Sequence, residues 1–265
     1  MNALYEHAWS MHDDSAFAAL DASLNPRPAA ALYDYVAAAG IGAGHTVLDV
    51  GCGPGVHACA IADKFGCRVV GVDPARANLL QARRQAMLLF VTERAHFAFG
   101  TMQSQPFAPE QFDYIWCRDM LVHVGPLEQG MAECARVLKP GGRMMVFNTY
   151  MTPLAHPAEM PLICDPLRVH LANLSQAHVE AAFAAAGFSI EAVERVGAEF
   201  VEGIEEHSGR TSRELLRISR MTRGEARFRA LLGDFQYEAA LALYRWGVYI
   251  LLGKLCPTVH LLQKA

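Results

Sequence analysis

The chain has 265 residues, 52% of them hydrophobic, enough to enclose one well-packed core with room for a smaller cap. Its formal net charge of −4 argues against a surface built to wrap nucleic acid or anionic lipid. The seven cysteines show no C-x-x-C or repeated spacing and several lie in apolar runs, which fits free thiols in a reducing compartment.

In chain order, MNALYEHAWSMHDDS has neither a basic n-region nor an apolar h-region, so it does not read as a signal peptide. No apolar run reaches the roughly 20 residues of a membrane span. A cytoplasmic protein, monomer or homodimer, without membrane or nucleic-acid partner, is expected. NPRPAAALYDYVAAAG predicts a helix entered through Pro28 and stopped near Gly40. A strand follows at His45–Val50, a helix at Gly55–Lys64, a strand at Cys67–Asp73 and a helix at Arg76–Leu89. HFAFG and Phe112–Cys117 predict the third and fourth strands, Leu127–Val137 a helix, KPGG a turn and Arg143–Tyr150 a fifth strand. Gln176–Ala186 predicts another helix, and FSIEAVERV and AEFVEGI predict late strands. Helices are expected over Thr211–Met221 and Glu225–Leu252. Strands alternating with helices mean βαβ units, hence an α/β fold with a mostly parallel sheet covered on both faces. The expected organisation is an N-terminal lid over 1–25, a core over 26–200 with a cap insert at 151–175, and a helical extension over 201–265.

The stretch HTVLDVGCGPG (His45–Gly55) runs a strand into three glycines. In open α/β sheets, ligands lie beyond the carboxyl ends of the strands, and glycines there allow a close approach of backbone to ligand. Asp73, ending the second strand 18 residues after Gly55, is placed to accept from ribose hydroxyls. The spacing G-x-G-x-G is not the G-x-G-x-x-G of nicotinamide sites. Asp49, two positions before Gly51, would repel a diphosphate and instead suits a cationic group.

VLDVGCGPG (Val47–Gly55) resembles motif I of the class I S-adenosylmethionine-dependent methyltransferases, in the small-molecule branch with the ubiquinone/menaquinone and sarcosine-type enzymes. VVGVDP (Val69–Pro74), PFAPEQFDYIWCRDMLVHV (Pro106–Val124) and ARVLKPGGRMMVF (Ala135–Phe147) resemble later segments of the same family. The resemblance implies a Rossmann-like methyltransferase fold of seven strands plus a helical cap, and S-adenosyl-L-methionine as cofactor. It implies that Asp49, Gly51, Cys52 and Gly53 hold the methionine moiety, with Gly55 in the same loop, and that Asp73 and Pro74 meet the ribose. Thr101 and Met102 stand where the family contacts adenine, Thr101 replacing a frequent aspartate. Cys117 and Arg118 face the amino-acid end, and Trp9 belongs to an N-terminal segment that closes over the cofactor.

Methyl transfer from a sulfonium needs alignment, and a base where the acceptor is an alcohol or ammonium. His123, after the fourth strand, is the first candidate base, with a pocket-wall role as its alternative. Glu199, in an acidic run through Glu206, is the second, and Tyr5 of the lid the third. Arg213, Arg217 and Arg220 share a helical face and read as solvated. His156, His170 and His178 show no ligand spacing, so no metal is expected. The acceptor is expected to be a small molecule methylated on oxygen or nitrogen. An isomerase or cyclase using the same cofactor site, or an RNA or protein methyltransferase, is the competing reading.

Overall fold

The computed structural model describes residues 14–265. Tyr5 and Trp9, singled out in the sequence, lie outside the described residues. A seven-stranded sheet forms the centre, in the order β3-β2-β1-β4-β5-β7-β6. Its strands are β1 (Thr46–Val50), β2 (Arg68–Asp73), β3 (Ala95–Phe99), β4 (Phe112–Arg118), β5 (Leu138–Met151), β6 (Phe188–Arg195) and β7 (Leu255–Lys264). β1 to β5 pair in parallel, and β7 slots between β5 and β6, antiparallel to both. The mostly parallel α/β architecture is therefore the one the sequence implied.

The helices are α1 (Asp14–Asp21), α2 (Tyr33–Ala38), α3 (Val56–Phe65), α4 (Arg76–Leu88), α5 (Leu127–Val137), α6 (Pro161–Leu167) and α7 (Gln176–Ala185). Then come α8 (Glu199–Ser208), α9 (Arg210–Arg223), α10 (Glu225–Leu232) and α11 (Asp234–Leu251). Strand alternation sorts side chains onto two cores. Leu48, Ile115, Cys117, Met144 and Val146 pack on one face with α5 and α7. Val47, Tyr114, Trp116, Met145 and Phe147 pack on the other with α2 and α3. Because the period is two, Asp49 and Arg118 belong to this second face, and the site is built there.

Four expectations change. AEFVEGI is the start of α8, not a strand: Phe200 and Gly203, three apart, are its buried positions, and Glu199 and Glu202 sit in the first turn, where carboxylates favour a helix N-terminus. The helix expected over Glu225–Leu252 is broken at Gly233, which has φ 79°. Residues 255–264, expected within a helical extension, return to the sheet as β7. Pro257 makes that run look unlike an interior strand. It is tolerated because the β6 pairing ends at Arg195–Thr258: the Pro257 carbonyl still accepts from the Val196 and Gly197 amides at 2.9 and 3.1 Å, while its missing N–H falls on that same side, past the last paired residue. The KPGG turn is absorbed into β5, with a register irregularity between Phe112 and Tyr114 on β4.

Candidate functional site

Chain order reverses between β1 and β4, so the crevice opens at their carboxyl ends. The glycine loop is clamped there: Gly51 and Cys52 amides donate to the Val72 carbonyl at 2.8 and 3.1 Å. Gly55 needs to be glycine twice over. Its φ is +79°, and an added Cβ would lie 2.7 Å from the Ala82 Cβ and 2.9 Å from its Cα on α4. Gly55→Ala should therefore destabilise the fold by about 2–4 kcal/mol, from left-handed strain plus overpacking, measured by urea unfolding. A loss under 0.5 kcal/mol would mean that α4 gives way freely.

Asp73 is nearly buried and oriented by three donors: Gly53 N to Oδ2 at 2.9 Å, and Ala75 N and Asn78 Nδ2 to Oδ1 at 2.8 and 3.1 Å. It braces the loop and retains lone pairs for a ligand hydroxyl. Asp49 is 3% exposed, and its Oδ2 has no hydrogen-bond partner among the described residues. Burial pushes its carboxyl up to about 7, against the Ala58 amide and Arg118, with Asp73 adding a smaller upward push.

Beside Asp49 lies a polar chain that the sequence did not signal. Arg118 Nη1 contacts His57 Nε2 at 2.8 Å, and His57 Nδ1 contacts the Tyr33 hydroxyl at 2.8 Å. Arginine only donates, so Nε2 accepts. Burial, then Arg118, lower the His57 pKa to about 4, so the ring is neutral and its Nδ1–H donates to Tyr33. Tyr33 stacks on Trp116 with centroids 5.3 Å apart. Arg118 also lies over Phe147 and bridges to Asp119 at 3.2 Å. The network joins the helix that follows the glycine loop to the end of β4. One signal was available for His57, an imidazole opening a helix otherwise rich in alanine and cysteine.

Next to this network opens a cavity of about 430 Å³. Arg118, Asp119, His123 and Thr149 line one part, Arg210, Thr211 and Glu214 another, with Phe147, Phe200, Trp246 and Ile250 among its apolar lining. Its size and mixed lining suit a small organic ligand. Asp119 holds φ +54°, uncommon outside glycine. Its surroundings push its carboxyl above the usual range against the pull of Arg118, though 55% of the side chain still meets solvent and limits the effect. His123 lines the same wall, and its Nδ1 lies 3.3 Å from the Arg168 carbonyl.

Other sequence-chosen residues are placed differently. Glu199 is not on the cavity wall: its carboxylate grips Arg27 at 2.7–3.0 Å, and that pairing holds it below the usual range. The Met102 side chain is 1% exposed and packs in the core with Val124 and Met131, so it cannot lie on a ligand ring. Thr101 Oγ accepts from Ser104 N within its own turn. Cys117 points into the opposite core from Arg118, leaving only its backbone at the edge. Cys52 sits beneath Gly71, whose added Cβ would fall 2.7 Å from its sulfur, and burial pushes the thiol up. Pro74 is exposed beside Asp73. Of the aromatics on α11, Trp246 lines the cavity, whereas Tyr237 donates to the Met221 carbonyl and Tyr244 lies under Arg217. Among the described residues, no three His, Cys, Asp or Glu side chains are grouped to hold a metal, and no helix is long and apolar enough to cross a membrane.

The sheet order and the glycine loop with its two acidic strand ends define a Rossmann-like ligand-binding α/β protein. Residues 47–142 match the methyltransferase domain family. It is similar to methyltransferase GfsG of Streptomyces halstedii, 39% identical over 106 residues, which are 40% of this chain and 38% of that one. The matched stretch thus spans about two-fifths of that relative's length. Two solved structures share the fold. The geranyl diphosphate C-methyltransferase of Streptomyces coelicolor A3(2), in complex with geranyl diphosphate and S-adenosyl-L-homocysteine, has a TM-score of 0.65 at 18% identity, covering 89% of this chain and 76% of that one. The [4+2]-cyclase SpnF has a TM-score of 0.69 at 20% identity, covering 88% and 80%.

Proposed function

We propose that this chain binds S-adenosylmethionine over the glycine loop and transfers its methyl group to an oxygen or nitrogen of a small, largely apolar metabolite in the adjoining cavity. The observation that carries the reading is the buried, unpartnered Oδ2 of Asp49. A carboxylate oxygen without a donor is costly inside a protein, and an ammonium group compensates it. Asp73 suits the ribose hydroxyls, and the loop backbone suits close contact with the ligand. When bound, the sulfonium supplies an activated methyl group. The protein aligns the acceptor, excludes water and takes up a proton where the acceptor carries one. Asp119 and His123 face the cavity from the β4 edge, so proton removal falls to that wall. The cap insert over 151–175 and the helices after residue 201 enclose the acceptor, with Leu167, Val169, Thr211 and Trp246 on the cavity wall.

Calorimetry should give one S-adenosylhomocysteine site per chain, with NAD much weaker. Asp73→Ala should weaken that binding by about 1–3 kcal/mol, since ligand hydroxyls and the Gly53 amide both lose their acceptor. Comparable affinity for NAD would overturn the cofactor assignment. The acceptor is sought by mass spectrometry of metabolite pools, as a gain of one CH₂ that requires protein and S-adenosylmethionine together. Cofactor binding without any such gain would move the reading away from transfer.

A further inference from the structure

The buried stripe of α9 contains a residue that packing alone does not explain. Thr211, Glu214, Ile218 and Met221 recur at i, i+3, i+7 and i+10, a spacing that aligns them on one face of the helix. Thr211, Glu214 and Met221 are buried, and Ile218 packs beside Met221 against Tyr237 and Leu241 of α11. Arg213, Arg217 and Arg220 lie off that stripe. At 6% exposure, Glu214 occupies a position where an apolar side chain would be ordinary. Room is made for it on α11: a Cβ at Gly247 would lie 2.8 Å from the Glu214 Oε2. Arg210 Nε holds Oε1 at 2.8 Å, while Oε2 has no hydrogen-bond partner among the described residues. Glu214, Thr211 and Gly247 all line the cavity that also holds Asp119 and His123.

A nearly buried carboxylate with one oxygen fixed and the other idle is set to accept from a ligand. We propose that Glu214 is a specificity-determining residue, accepting a hydrogen bond from a hydroxyl or protonated amine on the acceptor, at a point apart from the Asp119–His123 wall. The inference rests on the reading of the cavity as the acceptor site, and it narrows the acceptor to an amphipathic molecule with a hydrogen-bond donor outside its reacting group.

The test uses three probes of matched chain, 1-decanol, decylamine and decyl methyl ether, titrated against the full chain. Tryptophan fluorescence reports binding, since Trp246 lines the cavity. The alcohol and the amine should bind roughly tenfold or more tightly than the ether, the worth of a hydrogen bond to a charged acceptor. In Glu214→Gln, Arg210 retains the amide oxygen and the NH₂ group faces the ligand, so the preference for donors should collapse. Gly247→Ala should collapse it as well by crowding Oε2, and alanine within a helix does not cost folding. S-adenosylhomocysteine affinity should be unchanged in both variants. No preference in the wild type, no binding of the alcohol, or a preference that survives both substitutions overturns the inference. Loss of the cofactor assignment would show separately, as wild-type protein that does not bind S-adenosylhomocysteine.

Discussion

S-adenosylhomocysteine should bind the protein roughly 20-fold more tightly at pH 7.5 than at pH 5.5, with release of close to one proton per site near pH 6. The source of the effect is Asp49. Burial lifts its carboxyl from the ordinary aspartate range to about 7 in the free protein, and the neutral form dominates below that. A ligand ammonium on Oδ2 requires the carboxylate, so binding displaces the proton throughout the acid range. Of the charged groups around it, Asp73 pushes in the same direction, while Arg118 and the Ala58 amide already favour the carboxylate and are not enough to offset burial. His57 titrates at about 4 and stays neutral over the range. Calorimetry in buffers of different ionisation enthalpy measures the proton count directly. Asp49→Asn should remove the pH dependence and weaken binding at pH 7.5 by about 1.5–3 kcal/mol, the worth of a hydrogen bond to a charged group. An unchanged acid limb in that variant would place the proton elsewhere.

The same carboxyl sets a sign for stability. The folded state keeps a proton between pH 4 and 7 that the unfolded chain has lost, so the ligand-free protein should become less stable as pH rises through that window. The contribution levels off above about pH 7, at a cost on the order of 4 kcal/mol. Bound ligand opposes this, because it selects the carboxylate.

The glycine-loop half of the candidate site was legible in the sequence because it is local. Three glycines, the acid before them and the acid ending β2 occupy fixed offsets along one βαβ unit, and backbone geometry forces the spacing. Strand alternation also carried more than was taken from it. Trp116 and Arg118 share a face, so Cys117 between them had to point the other way, into the core with Ile115 and Val146. The cavity half was less legible because it is assembled from distant elements. Glu214 meets Gly247 only once α9 packs on α11, and Thr149 meets Pro257 only once β7 returns to the sheet. Glu199 looked available for chemistry because the sequence does not show that Arg27, far away along the chain, closes on it.

The largest expected loss belongs to His123. A carbonyl can only accept, so in the contact with Arg168 O it is Nδ1 that carries a proton, and in the neutral ring the lone pair is then on Nε2. A neutral imidazole so fixed can take a proton from an acceptor in the cavity that both residues share with Asp119. His123→Asn retains a polar group of similar reach but no basic nitrogen. It should cut kcat by roughly 10²–10⁴, the usual worth of general acid–base catalysis, and leave S-adenosylhomocysteine affinity unchanged. Cofactor must be saturating, since Asp49 adds its own acid limb to any rate limited by cofactor binding. Under those conditions Asp119→Asn should lose far less kcat than His123→Asn. The opposite pattern makes Asp119 the base, its raised carboxyl held at the β4 edge by Arg118. A raised acceptor KM with kcat retained would make His123 a wall residue. The methyl transfer would then depend on alignment alone.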